Sequence, residues 1–245
     1  MISYKKTFYL WQARETWFRY RFQTKDLFSL AQYSHVKQYD GDPKFCVKDI
    51  SYTVELPLNK EADAILADFR NTVRQEIRKS EKEGVTCFFA KDVERFVAFY
   101  NDFAALKKIY PASTDMINNM GDSFVTSFAE MEGELLAAHS YLVDKELGIA
   151  RLFHSASRRL DQRFDRNIIG RANKLLTARD IFHFREEGFQ LMDFGGYAEN
   201  TQDKSLQGIN EFKLSFGGAK VPCNNYFTLP FFVLRKLSML LDRRY

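Results

Sequence analysis

FVTSFAEMEGELLAAHSYLVDKELGIARLFHS, residues 124–155, holds the pattern that decides the fold. Three apolar runs, Phe124–Met131, Leu135–Val143 and Ile149–Ser155, are divided by Gly133 and by the charged stretch Asp144-Lys145-Glu146-Leu147-Gly148. Short runs rich in Phe, Val, Leu and Tyr between turn signals read as strands, here an antiparallel meander. A polar loop, Ala156–Asn167, leads out of it. A long helix is predicted from about Ile169 to Glu187, stopped by Gly188. FQLMDF, residues 189–194, then reads as a buried strand closed by Gly195-Gly196.

Outward from this block the pattern keeps alternating strand and helix. Downstream come a short helix near Leu206–Phe216, a strand over Val221–Leu229 and a helical tail from Phe231. Upstream, Ile50–Leu58 is extended and Pro57 should end it. Asn59 is placed to cap a helix reaching about Glu83. Ile65, Phe69, Val73 and Ile77 recur every four residues and form its apolar stripe. Gly84 stops it, Val85–Ala90 reads as a short buried strand, and Asp92 caps a second helix to about Tyr110. The first 48 residues are aromatic-rich and irregular, with a strand at Thr16–Gln23 and a turn at Asp40-Gly41-Asp42-Pro43. The layout is α/β, with a mixed, mostly antiparallel central sheet flanked by helices. Residues 1–48 are expected to pack, as an N-terminal segment, on a main domain of residues 49–245.

Composition narrows the function classes. Hydrophobic residues make up 45% of 245, with 24 Phe, enough to build a sizeable core. Lys and Arg number 36 against 32 Asp and Glu, a net +4 that permits an anionic ligand without demanding one. Cys46, Cys87 and Cys223 are odd in number and far apart, which argues against a disulfide framework or a structural zinc site. The four histidines have no ligand spacing, so no metal is expected. Neither a signal peptide nor an apolar run near the roughly 20 residues that span a bilayer is visible, so a cytoplasmic protein without an integral membrane segment is expected. No G-x-S-x-G or Walker-type motif points to a serine hydrolase or a P-loop enzyme.

Two segments carry a family likeness. Arg70-Asn-Thr-Val-Arg-Gln-Glu-Ile-Arg-Lys-Ser-Glu-Lys-Glu-Gly-Val85 resembles the arginine-rich helix and following strand that open a Fem-type transferase domain. Gly188-Phe-Gln-Leu-Met-Asp-Phe-Gly-Gly196, with Gly208-Ile-Asn-Glu-Phe-Lys-Leu-Ser-Phe-Gly-Gly218 after it, resembles that family's Asp-Phe-Gly-Gly strand end and its Phe-Lys element. The likeness spans about residues 50–230. It is to the Fem (FemAB-like) peptidyltransferases, which attach amino acids to cell-wall precursors, and to the related GNAT-type acetyltransferases. It implies a GNAT-like (acyl-CoA N-acyltransferase) fold and transfer of an acyl group to an amine, such as an amino sugar or a cell-envelope precursor. The short chain and modest charge favour acyl-CoA as donor, with aminoacyl-tRNA, and so a tRNA partner, as the alternative. A catalytically silent binding module is the other reading.

Candidate residues follow from chemistry and likeness together. Asp193, at the end of a buried strand, can orient an amine or take its proton, and Gly195 and Gly196 would let substrate approach the backbone. Tyr197 and Glu199 follow at once and are weaker candidates for the same proton work. Lys213 matches the lysine of the family's Phe-Lys pair and can neutralise a developing oxyanion. Around Arg166, Asn167, Gly170 and Arg171 a helix begins, where free N–H groups and two guanidinium groups suit a pyrophosphate. Arg70, Arg74 and Arg78 share a helical face, and Arg74 is the candidate there for a phosphate-bearing acceptor.

Overall fold

The computed structural model describes residues 1–8, 11–21, 23–41 and 43–241. Its elements run β1 (Ile2–Phe8), β2 (Trp11–Arg21), a 3-10 turn (Thr24–Leu27), β3 (Ala31–Asp40), β4 (Cys46–Pro57), α1 (Ala62–Asp68), α2 (Asn71–Lys82), β5 (Thr86–Phe89), α3 (Val93–Lys107), α4 (Thr114–Asn118), β6 (Phe124–Met131), β7 (Glu134–Asp144), β8 (Ile149–Ser157), α5 (Arg166–Glu186), β9 (Leu191–Gly196), α6 (Lys204–Leu214), β10 (Ala219–Thr228) and α7 (Leu229–Leu241). They form an α/β protein in which β2–β3 and β8–β9 pair in parallel and the other described pairings are antiparallel. The chain forms two compact units, Met1–Tyr52 with Pro222–Tyr245, and Thr53–Val221. The boundaries lie at 52/53 and 221/222, whereas the sequence patterning suggests one at 48/49.

In the Thr53–Val221 unit the meander is as expected: β6, β7 and β8 pair antiparallel in order. β5 joins β6 at one side, and β9 lies between β8 and β4. Helices cover both faces of this sheet. His139 of β7 bonds Asp180 and Asn173 of α5, while its neighbour Ser140 bonds His154, whose ring meets Phe96 and Tyr100 of α3. Successive strand residues point to opposite faces, so α5 and α3 lie on opposite sides. On the α5 side, Val54, Leu56, Ile65, Phe69, Ile181 and Phe216 sit in one buried cluster.

Three expectations need correction. The helix predicted from Asn59 to Glu83 is two helices, with Glu61 rather than Asn59 at the first N-terminus. The break falls at Phe69 and Arg70, both extended at ψ 138° and 143°. Phe69 turns in against Phe216, ring centroids 5.1 Å apart, and the Arg70 N–H donates to the Ser215 carbonyl at 2.9 Å. Those tertiary contacts replace the helical bonds lost there. Second, β5 is half-exposed rather than buried. Third, the first 48 residues are not irregular: they form β1, β2, β3 and the start of β4.

In the other unit β1 pairs antiparallel with β2, β2 pairs parallel with β3, and β10 pairs antiparallel with β3. The predicted strand at Thr16–Gln23 is the later part of β2, although Phe22 lies outside the described residues. Asp42 of the predicted Asp40–Pro43 turn also lies outside them. The three cysteines are free thiols, with that of Cys87 pushed up to about 12, chiefly by burial.

Candidate active site

The polar centre of the Thr53–Val221 unit forms where β8 and β9 stop pairing. Their parallel ladder joins Ile149 to Leu191, Ala150 to Met192 and Arg151 to Asp193, and ends there. One step further along β8, Tyr141 pairs with Leu152 and Ser140 with His154, so β8 carries Phe153 as an extra residue at that point. A bulge of this kind bends a strand and re-aims the groups beside it.

At the last pair, two opposite charges leave water together. Asp193 is fully buried and Arg151 is 8% exposed. The Arg151 Nε lies 3.4 Å from Asp193 Oδ2, and its Nη1 donates to the Leu152 carbonyl at 3.1 Å. The other carboxylate oxygen, Oδ1, accepts from the Thr53 hydroxyl and from the Gly195 N–H at 2.7 Å. A buried pair persists only when its remaining lone pairs and protons find partners, and these contacts supply them. Gly195 is required by the geometry: its φ is +79°, and an added Cβ would stand 3.1 Å from the Leu152 carbonyl oxygen.

Lys213 reaches the same place from α6. Asp203 caps that helix by accepting from the N–H groups of Ser205 and Leu206. Asn210 fastens it to the segment after β9: its Oδ1 accepts from the Ala198 N–H at 3.0 Å and its Nδ2 donates to the Ala198 carbonyl at 2.8 Å. The half-buried Lys213 ammonium donates to the Gly196 carbonyl. Burial first, then the neighbouring Arg151 guanidinium, push its pKa down to about 8, partly offset by Asp193. An ammonium near neutrality can hold a positive charge or release a proton, the two abilities acyl transfer asks of such a group. Tyr197 lies next along the chain, its ring 5.2 Å from the Lys220 ammonium, which also pairs with Glu199.

The remaining candidates lie elsewhere. Arg166, Asn167, Gly170 and Arg171 form the first turns of α5. There Asp165 accepts from the Asn167 N–H at 2.6 Å, so a carboxylate of the chain itself addresses the helix end. Arg171 makes a double contact with Glu83, at 2.8 and 2.6 Å, and Arg166 is exposed. Arg74 donates to the Ala67 carbonyl at 3.0 Å and so closes the end of α1. It also lines a cavity of about 210 Å³ with Leu66, Arg78 and Arg179. Arg70 pairs with Glu211 at 2.8 Å. The structure therefore gathers Asp193, Gly195, Gly196 and Lys213 and does not add the α5 residues or Arg74 to them. Among the described residues no group of three or more His, Cys, Asp or Glu is placed to hold a metal.

Three residues of the cluster were not singled out from sequence: Arg151, Thr53 and Asn210. Arg151 had a readable signal, a lone charge inside the apolar run IARLF. Thr53 and Asn210 had none, since their partners are 140 and 12 residues away along the chain.

This is the fold of a class of solved structures. FemX matches with a TM-score of 0.64 at 11% identity, covering 96% of this chain and 85% of its own. L-PGS from Bacillus licheniformis matches with a TM-score of 0.56 at 12% identity, over 88% of this chain and 74% of its own. The C-terminal domain of a putative lysylphosphatidylglycerol synthetase from Agrobacterium fabrum gives 0.58 at 14% identity, over 86% and 72%. No protein-family model matches the sequence, and no curated protein does.

Proposed function

We propose that the Thr53–Val221 unit transfers an acyl group to an amine at the end of β9. The observation that carries this reading is Lys213, an ammonium held at the Gly196 carbonyl beside Arg151, with a pKa brought down to about 8. Attack of an amine on an activated carbonyl carbon places negative charge on the carbonyl oxygen. The bond to the leaving group then breaks and the amine nitrogen loses its proton. A fixed cation that strengthens its hold as that charge grows lowers the barrier, and such donors are worth about 10²–10³ in rate. Lys213 takes this role. Asp193 has both oxygens engaged, by Thr53, Gly195 and Arg151. We assign it the placing of Arg151 and of the Gly195 turn, since it is fully buried; the amine proton leaves with the departing thiolate or alkoxide. Gly196 and Tyr197 border the acceptor.

Acyl-CoA is the donor we favour, on the modest net charge of +4. Arg166 and the start of α5 are the proposed seat of its phosphates, in competition with Asp165. Aminoacyl-tRNA is the second reading, favoured by the likeness to FemX and to proteins named for lysylphosphatidylglycerol synthesis. The proposed acceptor is an amino sugar or a cell-envelope precursor. Melting curves with acetyl-CoA, CoA and aminoacyl-tRNA decide between donors, because a ligand bound to the native state raises Tm. A rise with CoA species supports the first reading and a rise with aminoacyl-tRNA alone the second. No rise with any of them removes the transferase and leaves a silent binding module.

A further inference from the structure

The unit formed by Met1–Tyr52 and Pro222–Tyr245 has an end that the transfer chemistry does not use. α7, LPFFVLRKLSMLL, carries no acidic residue. Its inner side is set by Phe231, which is buried with Ala13 and Phe227, against Phe8 and Leu30. The opposite side is not polar. Leu229, Val233 and Leu237, four residues apart, are each at least half exposed. An apolar stripe on the outer side of a helix whose inner side is already packed is normally covered.

Two exposed aromatics stand at the same end. The Thr228 hydroxyl donates to the Ser29 carbonyl at 2.7 Å, which brings Leu229 beside the turn that bears Phe28. Phe28 follows the 3-10 turn directly and is 88% exposed. Trp11 is two residues before Ala13 on β2, so it extends the row that Phe231 covers, and it is 54% exposed. The exposed charges among these residues are cations: Lys25 in the turn and Lys236, one turn from Val233 and Phe232 on α7. Asp26, the acid of the turn, is buried and bonded to Arg14 and Tyr33, and Asp49 faces Arg235.

We propose that this end docks on an anionic lipid surface. Phe28, Trp11 and the Leu229–Val233–Leu237 stripe enter the interface, and Lys25 and Lys236 face the headgroups. The combination of apolar stripe, aromatic rings and flanking lysines, with the exposed Asp49 facing Arg235, is what an interfacial helix requires. A second copy of the chain fits less well, because a two-fold contact would set Lys25 and Lys236 against their own kind, and the exposed Asp49 already faces Arg235.

The full chain sedimented with vesicles tests this. Binding is expected to vesicles of phosphatidylcholine mixed with phosphatidylglycerol, weaker to phosphatidylcholine alone, and reduced by salt. Trp11 emission should shift to the blue on binding. Val233→Glu with Leu237→Glu is expected to lower binding roughly ten-fold or more, and Phe28→Ser by less, each with an unchanged melting curve, since all three positions face water. Lys236→Glu should remove the preference for the anionic vesicles. Three results overturn the proposal: no sedimentation with either vesicle, sedimentation that the Glu substitutions leave untouched, or light scattering that shows a dimer which those substitutions split.

Discussion

Two places in the Thr53–Val221 unit gather basic residues, the start of α5 and the end of β9, and they handle charge in opposite ways. At α5 the helix end is met by Asp165, Arg171 is matched by Glu83, and Arg166 stays in water. Each group there finds a local partner or water: the Arg171 side chain, though 11% exposed, meets both oxygens of Glu83. At β9 a guanidinium and a carboxylate are taken almost wholly out of water, and a lysine is left half-buried next to a like charge. That arrangement is expensive and has to be held by Thr53, Gly195 and the Leu152 carbonyl. The difference teaches where to look for chemistry: a helix start with arginines is common and quiet, whereas a lysine kept below its ordinary pKa by burial and a neighbouring arginine is a group poised to act.

The largest effect should come from breaking the buried pair. Asp193→Ala leaves Arg151 charged, nearly inaccessible and short of its partner. A loss of about 3–5 kcal/mol is expected in a denaturant titration. Arg151→Leu together with Asp193→Ala should recover part of it, because no lone charge then remains inside. A loss below about 1 kcal/mol for Asp193→Ala would make the β9 pair no different from an exposed one such as Arg70–Glu211, where Arg70→Ala is expected to cost that little.

Next is Gly195→Ala. Its φ of +79° and the Leu152 oxygen 3.1 Å from the new Cβ both resist the substitution. About 1–3 kcal/mol of destabilisation is expected, with turnover reduced further, since the Gly195 N–H also fixes Asp193. Stability and turnover falling strictly in parallel would mean that the turn serves the fold alone.

Lys213→Ala separates chemistry from folding. Turnover should fall by about 10²–10³ while the folded state is kept. The pH dependence sharpens it. Folding lowers the Lys213 pKa from 10.5 to about 8, so between those values the unfolded chain binds more protons. Stability therefore rises with pH across that window, and the penalty is fully present below about 8. In the opposite sense, transfer that uses the ammonium declines as pH climbs through about 8. The alanine variant should lose both trends. Unchanged turnover in it would remove the proposed site.

Much of this was legible in the sequence, and the failures have physical causes. The meander, the α5 and β9 elements and the Asp193–Gly196 and Lys213 positions follow from periodicity, glycine placement and family likeness. The break at Phe69 was hidden because Ile65, Phe69, Val73 and Ile77 keep helical spacing across it, with neither Gly nor Pro to mark it. Before residue 48 only the strand at Thr16–Gln23 was legible, and the others were hidden by irregular pairing. Phe18 and His35 have φ of 64° and 50°, left-handed values that a bulky side chain does not advertise, and the β2–β3 register shifts between Trp17 and Arg19. Arg151 was overlooked as one charge within an apolar strand, although a buried charge is the residue most in need of an explanation.

The smallest expected effect returns to the α5 start and asks whether it is quiet or merely occupied. Asp165→Ser keeps a side-chain oxygen to accept from the N–H groups, so the helix should lose only a few tenths of a kcal/mol. It also removes a negative charge from the end of the helix dipole, where charge is worth about 0.3–1 kcal/mol. A phosphate-bearing donor seated there would gain that repulsion back, and its KM should fall about two- to five-fold with kcat unchanged. Adding Arg166→Ala should reverse the gain. Unaltered KM in both variants would place the donor's phosphates away from α5 and leave the β9 end as the unit's one proposed centre.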